Sequence, residues 1–103
     1  MSLLYTRFDP VFFEKTRLSI ITLAYQDVQV TYNRLKKKLE ITDGALYSHL
    51  KKLTDNGYLD QRKEISPHNS VQTVYTLTPK GRDTFAGYLQ FMQDFLQQRR
   101  STE

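Results

Sequence analysis

The feature that most constrains this chain is one segment, residues 42–59, because the sequence marks both of its ends. Thr42 is a residue type that caps helix N-termini, since its hydroxyl can accept a hydrogen bond from an unpaired backbone N–H. Asp43 places negative charge in the first turn, where the helix dipole favours it. Gly57 follows the last turn, where a left-handed residue commonly ends a helix. The sequence therefore predicts one helix of defined length over residues 42–56.

The two faces of this helix differ in character. Leu46, Leu50 and Leu53 recur at spacings of four and three, so they form one apolar stripe that packs on a core. The other face is small near the helix start and basic further along; it carries Gly44, Ala45, Ser48, Lys51 and Lys52. Tyr47 lies at the boundary and either contacts a partner or covers a flank of the core. His49 adjoins the leucine stripe, and we predict a structural role for it.

A helix whose outer face starts small and carries cations can approach a phosphate backbone closely, which favours a DNA recognition helix. The charge distribution points the same way. The whole chain has a net charge of +4, and residues 31–82 hold ten lysines and arginines against five acids. A basic central region between nearly neutral flanks is typical of a nucleic-acid-binding unit. The alternative is a lysine-rich solvated face with no partner.

Composition limits the class of protein. The chain has 103 residues and no cysteine, enough for one modest core but without a disulfide framework or a thiolate metal site. It has no long apolar run, and its start lacks the basic and apolar regions of a signal peptide, so we expect a cytoplasmic protein. The two histidines stand far apart and no glycine-rich phosphate loop is present. The sequence therefore favours neither an enzyme nor a bound cofactor or metal.

Two further helices precede the central one. Asp9 followed by Pro10 predicts a helix start, and residues 10–25 form the first predicted helix. Its apolar residues lie on more than one side, as in a helix shared between a core and an interface. After a short predicted strand at 28–30, Thr31 caps a second helix over 32–39, with Leu35 and Leu39 facing inward. Two short helices joined by a turn of three or four residues form a helix-turn-helix, although any helical hairpin remains the alternative.

The pattern after Gly57 changes to a two-residue period. Residues 58–65 and 71–77 read as two strands around the turn-rich segment 66–70, which predicts a β-hairpin. Arg62 and Lys63 lie on the first strand, and His68 and Asn69 lie at the tip.

The last predicted helix begins at the Thr78-Pro79 pair and runs to about residue 99. Its aromatic and aliphatic residues exceed what one small core requires, so part of it is expected to meet a second chain. Packing back on the first helix is the alternative.

The order helix, helix, helix, hairpin, long helix resembles winged-helix transcriptional regulators of the MarR/ArsR-like superfamily. The resemblance covers nearly the whole chain; its phrases are Asp9-Pro10, Arg17-Leu18, residues 39–46, Ser48-His49-Leu50, Leu53, Asn56-Gly57-Tyr58-Leu59 and residues 73–82. It implies a homodimer, built from the first and last helices, that binds a roughly palindromic operator. Tyr47 departs from the pattern, since a smaller residue is usual there.

The predicted fold class is α+β, mainly α: a winged helix-turn-helix with a three-helix core, a two-stranded β-wing and a long C-terminal helix. One domain spans residues 1–103, with a core at 9–82, while 1–30 and 78–100 also form the dimer interface. The predicted DNA contacts are Thr31, Tyr32, Lys36, Thr42, Gly44, Ala45, Tyr47, Ser48, Lys51, Lys52, Arg62, Lys63, His68 and Asn69. The predicted dimer contacts are Leu4, Tyr5, Phe8, Phe12, Tyr88, Phe91, Met92 and Phe95.

The predicted function is sequence-specific binding of double-stranded DNA by a homodimeric transcriptional regulator. The helix at 42–56 enters the major groove, and the wing at 58–77 meets the flanking backbone or minor groove. The alternative is a winged helix that binds proteins without sequence-specific DNA binding. A small-molecule effector is compatible with the sequence but has no support in it.

Overall fold

The computed structural model describes residues 8–102, with side chains through Gln98. This part of the chain contains four helices and three strands: α1 (Lys15–Asp27), β1 (Gln29–Thr31), α2 (Tyr32–Leu39), α3 (Asp43–Asp55), β2 (Leu59–Ile65), β3 (Val71–Leu77) and α4 (Pro79–Thr102). The mainly helical winged helix-turn-helix predicted from the sequence is confirmed. The predicted dimer contacts Leu4 and Tyr5 lie outside the described residues.

Helix α3 has the ends that the sequence predicts. The Thr42 hydroxyl accepts a hydrogen bond from the Ala45 N–H at 3.1 Å. At the other end, Gly57 has a φ of 79°, and the Tyr58 N–H reaches back to the Leu53 carbonyl at 2.9 Å. That bond closes a Schellman-type end, in which a left-handed residue lets the chain leave the helix with its last carbonyls paired. The three leucines of the predicted stripe are buried in the core.

The first helix begins five residues later than predicted, at Lys15 instead of Pro10. Asp9 does cap the chain locally, since its carboxylate accepts from the Val11 N–H at 3.0 Å, but only a single turn follows. The carbonyls of Pro10 and Val11 accept from the Arg17 guanidinium, which stabilises this turn ahead of the helix. Glu14 caps the true start by accepting from two backbone N–H groups of the first turn.

The wing is part of a three-stranded antiparallel sheet with the order β1-β3-β2. Gln29 pairs with Thr76 and Val30 with Tyr75, so β1 adds a third strand to the predicted hairpin. The predicted strand at 28–30 was wrong by one residue. Val28 has a φ of 70°, outside the extended region, and pairing therefore starts at Gln29.

Helix α4 is attached to the end of α3 through close backbone contacts. The Thr78 N–H donates to the Tyr58 carbonyl at 3.1 Å. A Cβ on Gly81 would lie 2.2 Å from that carbonyl oxygen, so only glycine allows this approach. Lys80 donates to the Asn56 carbonyl at 2.8 Å and lies 4.5 Å from the centre of the Tyr58 ring. These contacts explain a cation at a helix start, where the dipole disfavours it.

Tyr58 also holds the turn that precedes α1. Its hydroxyl donates to the Asp9 carboxylate at 2.5 Å, and its ring packs edge-on against Phe12, 4.9 Å between centroids. The hydrogen bond from Tyr58 lowers the pKa of Asp9 below its ordinary value. Burial and this same hydrogen bond raise the pKa of Tyr58 to about 12. The charged carboxylate and the neutral phenol therefore form a favourable pair at neutral pH.

Tyr58→Phe is expected to lower the free energy of unfolding at pH 7 by about 1–2 kcal/mol, because a hydrogen bond to a charged group is lost. Since folding lowers the pKa of Asp9, its contribution is present above the unfolded value of 3.8 and disappears as pH falls through the folded pKa. The difference between wild type and variant should therefore shrink in acid. Denaturant unfolding across a pH series measures it, with the exposed Tyr47→Phe as control. A deficit that stays constant down to low pH would contradict the pairing.

Candidate nucleic-acid interface

The N-termini of α2 and α3 are tied together by one carboxylate. Thr31 caps α2 by accepting from the Arg34 N–H at 3.1 Å, as Thr42 caps α3. Asp43, in the first turn of α3, accepts from the Tyr32 hydroxyl at 2.9 Å, and its carboxylate lies 3.4 Å from the ammonium of Lys36. Two helix N-termini, each with unpaired N–H groups and a partial positive charge, are thereby held near one another.

The pKa values of this network follow from the same contacts. The hydrogen bond from Tyr32 and the ammonium of Lys36 lower the pKa of Asp43 below its ordinary value. Burial, together with the hydrogen bond to Asp43, raises the pKa of Tyr32. At neutral pH, Asp43 is therefore charged and fixes two of the predicted DNA contacts in position.

The outer face of α3 is open to a partner. Gly44 has nothing within 4 Å of where a Cβ would stand, so a surface can approach the helix backbone there. Tyr47 is 64% exposed and does not cover the core. Ser48, Lys51 and Lys52 are also exposed, whereas Ala45 is half-buried.

The two lysines of α3 differ in their surroundings. Lys51 lies 3.0 Å from the carboxylate of Asp55, and this hydrogen bond raises the pKa of the ammonium. Lys52 makes no ion pair within residues 8–98, although its carbonyl accepts from the Asn56 side chain at 2.7 Å. Lys51 therefore has a competing intrachain partner, and Lys52 has a free ammonium.

The wing does not bring Arg62 and Lys63 together, because neighbouring residues of a strand point to opposite faces. Lys63 donates to the Thr73 hydroxyl at 2.7 Å. Arg62, on the other face, donates to the Gln29 side chain at 2.6 Å and to Glu64 at 3.1 Å.

Lys63 shares its strand face with Gln61, which lies opposite Tyr75 in the register. A recess of about 190 Å³ lies beside this face. Its lining includes Gln61 and Tyr75 of the sheet and Tyr47 and Lys51 of α3. Of the two predicted wing cations, Lys63 is thus the one on the recognition-helix side of the sheet.

The wing tip is an ordered turn. The Ser66 hydroxyl accepts from the N–H groups of His68 and Ser70, both at 3.2 Å. Asn69 has a φ of 64°, a conformation that asparagine tolerates better than most residues. His68 and Asn69 are both exposed. Asn69 therefore has a conformational role in the turn besides its predicted contact.

Helix α3 is anchored to α1 by a buried arginine. Arg17 is 8% exposed, and its guanidinium lies 2.9 Å from Nδ1 of His49. Because arginine can only donate, His49 accepts through Nδ1 in this geometry. The same guanidinium donates to the carbonyls of Pro10 and Val11. The predicted structural role of His49 thus has a defined partner 32 positions away.

The predicted dimer contacts within the described residues fall into three groups. Phe12 is fully buried and packs on Tyr58 and Phe85, so its inclusion was wrong: the ring has no surface for a second chain. A second group is half-buried and contacts other rings of the same chain: Phe8, Tyr88 and Phe91. Met92 and Phe95 are exposed, as are the neighbouring Leu89 and Leu96.

Three residues of this surface were absent from the predicted contacts: Arg17 and Asp43, which position it, and Gln61, which lines its recess. The sequence places Asp43 in the first turn of α3 but gives no sign that it also binds Tyr32 and Lys36. Arg17 could be suspected because it is a charged residue among the apolar residues of the first helix. Its partner, however, is far away in sequence.

The fold and this surface define a winged helix-turn-helix protein. The family model described as winged helix DNA-binding domain matches residues 16–96, and the chain belongs to this family. Two of the structural neighbours below are described as transcriptional regulators or homologues of one.

Two relatives resemble the chain in sequence. An uncharacterized protein of Methanocaldococcus jannaschii is 37% identical over 79 residues, which are 77% of this chain and 85% of that protein. The uncharacterized HTH-type transcriptional regulator YdgJ of Bacillus subtilis is 32% identical over 69 residues, or 67% of this chain. The matched part spans only 41% of the length of YdgJ.

Solved structures share the fold at lower identity. A transcriptional regulator homologue from Pyrococcus horikoshii OT3 has a TM-score of 0.79 at 22% identity, covering 94% of this chain and 96% of that one. A protein assigned to the MarR family of regulators from Enterococcus faecalis V583 has a TM-score of 0.71 at 19% identity, covering 97% and 91%. In the part of the chain that the structure describes, no helix is long and apolar enough to cross a membrane.

Arg17→Ala is expected to lower the free energy of unfolding by about 2–4 kcal/mol, because two carbonyls and a histidine nitrogen lose their buried donor. Lys15→Ala, on the exposed side of the same helix, should change it by no more than about 0.5 kcal/mol. Urea unfolding of both variants measures the difference. A loss below about 1 kcal/mol for Arg17→Ala would show that the arginine does not anchor α3.

Proposed function

We propose that this chain acts in the cytoplasm as a homodimeric transcriptional regulator that binds a roughly palindromic operator in duplex DNA. The proposal rests on one observation above all: the small and basic outer face of α3 lies next to two capped helix N-termini. A helix N-terminus offers backbone N–H groups and partial positive charge to phosphates. Residues 31–82, which include α2 and α3, carry all of the net positive charge of the chain.

In the proposed complex, α3 enters the major groove. Gly44, Ala45, Tyr47 and Ser48 lie in the early part of this helix, from which such helices reach base edges. Lys51 and Lys52 lie about one turn later and hold phosphates. Near the start of α2, the proposed contacts to the DNA backbone are Thr31, Tyr32 and Lys36. Thr42, at the start of α3, binds the same DNA backbone.

The wing extends the proposed contact along the duplex. Lys63 stands on the recognition-helix side and binds the flanking backbone, and His68 and Asn69 carry the tip toward the minor groove. Arg62 lies on the other face of the strand, where its guanidinium binds Gln29 and Glu64 in the free protein.

The dimer is proposed to form through the far half of α4. The molecule measures 57 × 25 × 23 Å, and α4 alone has 24 residues. At about 1.5 Å for each residue, this helix is roughly 36 Å long. Met92, Phe95 and their neighbours Leu89 and Leu96 are exposed there. A second copy of α4 would cover this apolar surface, and the pair would place two half-sites about 34–36 Å apart.

A protein-interaction module is the second candidate, and the exposed ring of Tyr47 favours it. Aromatic residues are enriched in protein–protein interfaces. The rest of the outer face argues against it, since Gly44, Ser48, Lys51 and Lys52 offer little apolar area. The two candidates differ in how binding depends on salt.

Binding to duplex DNA is expected to weaken steeply with salt, because neutralised phosphates release counterions. Lys51→Ala with Lys52→Ala should lower the affinity for all sequences, by about tenfold or more at low salt. The plot of log K against log salt should become less steep by about one to two, because each phosphate contact contributes about 0.9 to the magnitude of its slope. Fluorescence anisotropy with labelled duplexes at several salt concentrations measures both quantities.

The matched control removes two charges elsewhere, by Lys15→Ala with Arg82→Ala, and should keep the wild-type slope. If the Lys51 and Lys52 variant binds as wild type does, the docking of α3 proposed here is wrong. Binding that does not depend on salt would favour the protein-interaction module.

A further inference from the structure

The wing ends in an exposed apolar pair. Ile65 is 70% exposed and Val71 is 73% exposed, and the two lie opposite each other in the register of β2 and β3. Neither packs on the core. Strand propensity does not require them, since threonine is also β-branched and stands at positions 73 and 76 of the same hairpin. Folding therefore leaves this apolar surface uncovered and without an evident structural role.

The pair lies on the face of the wing that is turned toward α3. Residues opposite each other in an antiparallel pair share a face, and alternate residues of a strand return to it. Ile65 therefore shares its face with Lys63 and Gln61. Gln61 pairs with Tyr75, and both line the recess beside α3. One continuous surface thus runs from α3 to the tip of the wing.

The two faces of the wing differ in charge. Asp60, Arg62 and Glu64 occupy the alternate positions of β2 and lie on the other face. Within residues 59–65 and 71–77, Lys63 is the only charged residue on the face of the apolar pair. This face can therefore approach phosphates without bringing a carboxylate near them.

The dimensions of the hairpin match those of duplex DNA. At about 3.3 Å for each residue, Ile65 lies roughly 13 Å beyond Gln61 along β2. Neighbouring major and minor grooves lie half a helical turn apart, or roughly 17 Å. Opposed Cβ atoms are about 4.5–5.5 Å apart, close to the minor-groove width of about 6 Å. With α3 in the major groove, the apolar pair can reach the adjacent minor groove.

The turn at the tip holds the pair in position. The Ser66 N–H donates to the Ser70 carbonyl at 2.7 Å, directly after Ile65 and directly before Val71. The two serine hydroxyls lie 2.9 Å apart and form a second hydrogen bond across the turn. Because the pair is positioned before a partner binds, contact costs little ordering entropy.

We propose that Ile65 and Val71 pack against the sugars and base edges of the minor groove beside each half-site and select against guanine there. The inference rests on the proposed DNA binding. Guanine projects its N2 amino group from the floor of the minor groove, whereas A·T pairs have only acceptors there. The amino group holds the two side chains away from the groove, and neither of them can accept its hydrogen bond. Apolar side chains enter the minor groove in other DNA-binding proteins.

The test compares a G·C-rich duplex of about 24 base pairs, long enough for two half-sites one turn apart, with the same duplex carrying inosine for every guanine. Inosine lacks the N2 amino group but keeps the major-groove edge of guanine, so α3 meets the same pattern. Fluorescence anisotropy with the full chain measures both affinities at one salt concentration. The inosine duplex should bind tighter by roughly fivefold or more, the low end of the cost of one unpaired buried donor.

Equal affinity for the two duplexes would overturn the role of the apolar pair and leave the DNA-binding proposal standing. No binding to either duplex would overturn both proposals.

Variants assign the preference to the apolar pair. Ile65→Thr with Val71→Thr keeps the β-branched shape that suits a strand but introduces hydroxyls that accept hydrogen bonds, so the inosine preference should disappear. Ile65→Val with Val71→Ile keeps the apolar surface and should keep the preference. Val28→Thr, which changes a side chain 69% exposed outside the wing, should keep it as well. A full preference in the threonine variant would overturn the proposal, because groove width would then be its cause.

A second copy of the chain is the other occupant that fits an exposed apolar pair. Sedimentation velocity without DNA, on wild type and on the threonine variant, distinguishes the two. The same oligomeric state is expected for both, because the proposed dimer forms through α4. Dissociation of the threonine variant to a smaller species would assign the pair to a protein interface and overturn the proposal.

Discussion

Tyr58 joins four parts of the molecule, and the geometry of the DNA-binding face depends on these connections. Its N–H ends α3, its carbonyl accepts from Thr78 at the start of α4, and its hydroxyl holds Asp9. The residue before it, Gly57, has the positive φ that directs the chain out of α3 and into β2. Helix α3, the base of α4, the wing and the turn before α1 are thus fixed relative to one another at one point.

A second connection orients the recognition helix from its other side. Arg17 binds His49 of α3 and two carbonyls of the turn at residues 10–11. Phe8 and Phe13, on either side of that turn, both contact the ring of Tyr88 in α4. The recognition helix and the base of α4 are therefore attached to the same short turn, so a change at one end has a physical route to the other.

The proposed DNA-binding face also carries its own counter-charges. Lys36 lies beside Asp43, Lys51 beside Asp55 and Arg62 beside Glu64. Exposed pairs of this kind are worth about 0–1 kcal/mol each, so they compete with phosphates without preventing contact. In the proposed complex, each of these cations exchanges a carboxylate of its own chain for a phosphate.

Sequence predicted the features that are written locally. The caps at Thr31 and Thr42, the leucine stripe of α3, the glycine at its end and the alternating strands are all encoded within a few residues. Features that depend on distant partners were not accessible. Asp9 and Pro10 resemble a helix start, but Arg17 binds the carbonyls of the single turn they begin, and the helix starts at Lys15. Phe12 looked available to a second chain because nothing local shows that Tyr58 and Phe85 cover it.

The predicted contacts on the wing show the same division. Alternation along β2 separates Arg62 from Lys63 and could have been applied to the sequence. Sequence alone does not show which of the two lies on the side of α3. That assignment to Lys63 requires the pairing of Gln61 with Tyr75 and the position of Tyr47 beside them. The third strand, β1, is too short to be identified by its pattern alone.

If this chain reads DNA sequence as a symmetric pair, selection of bound sites from random duplex DNA with the full chain should enrich a two-fold symmetric motif. We expect its half-sites to be centred about one helical turn apart, roughly 10 base pairs. An unsymmetric motif would contradict the dimer, and no enrichment at all would contradict sequence-specific DNA binding.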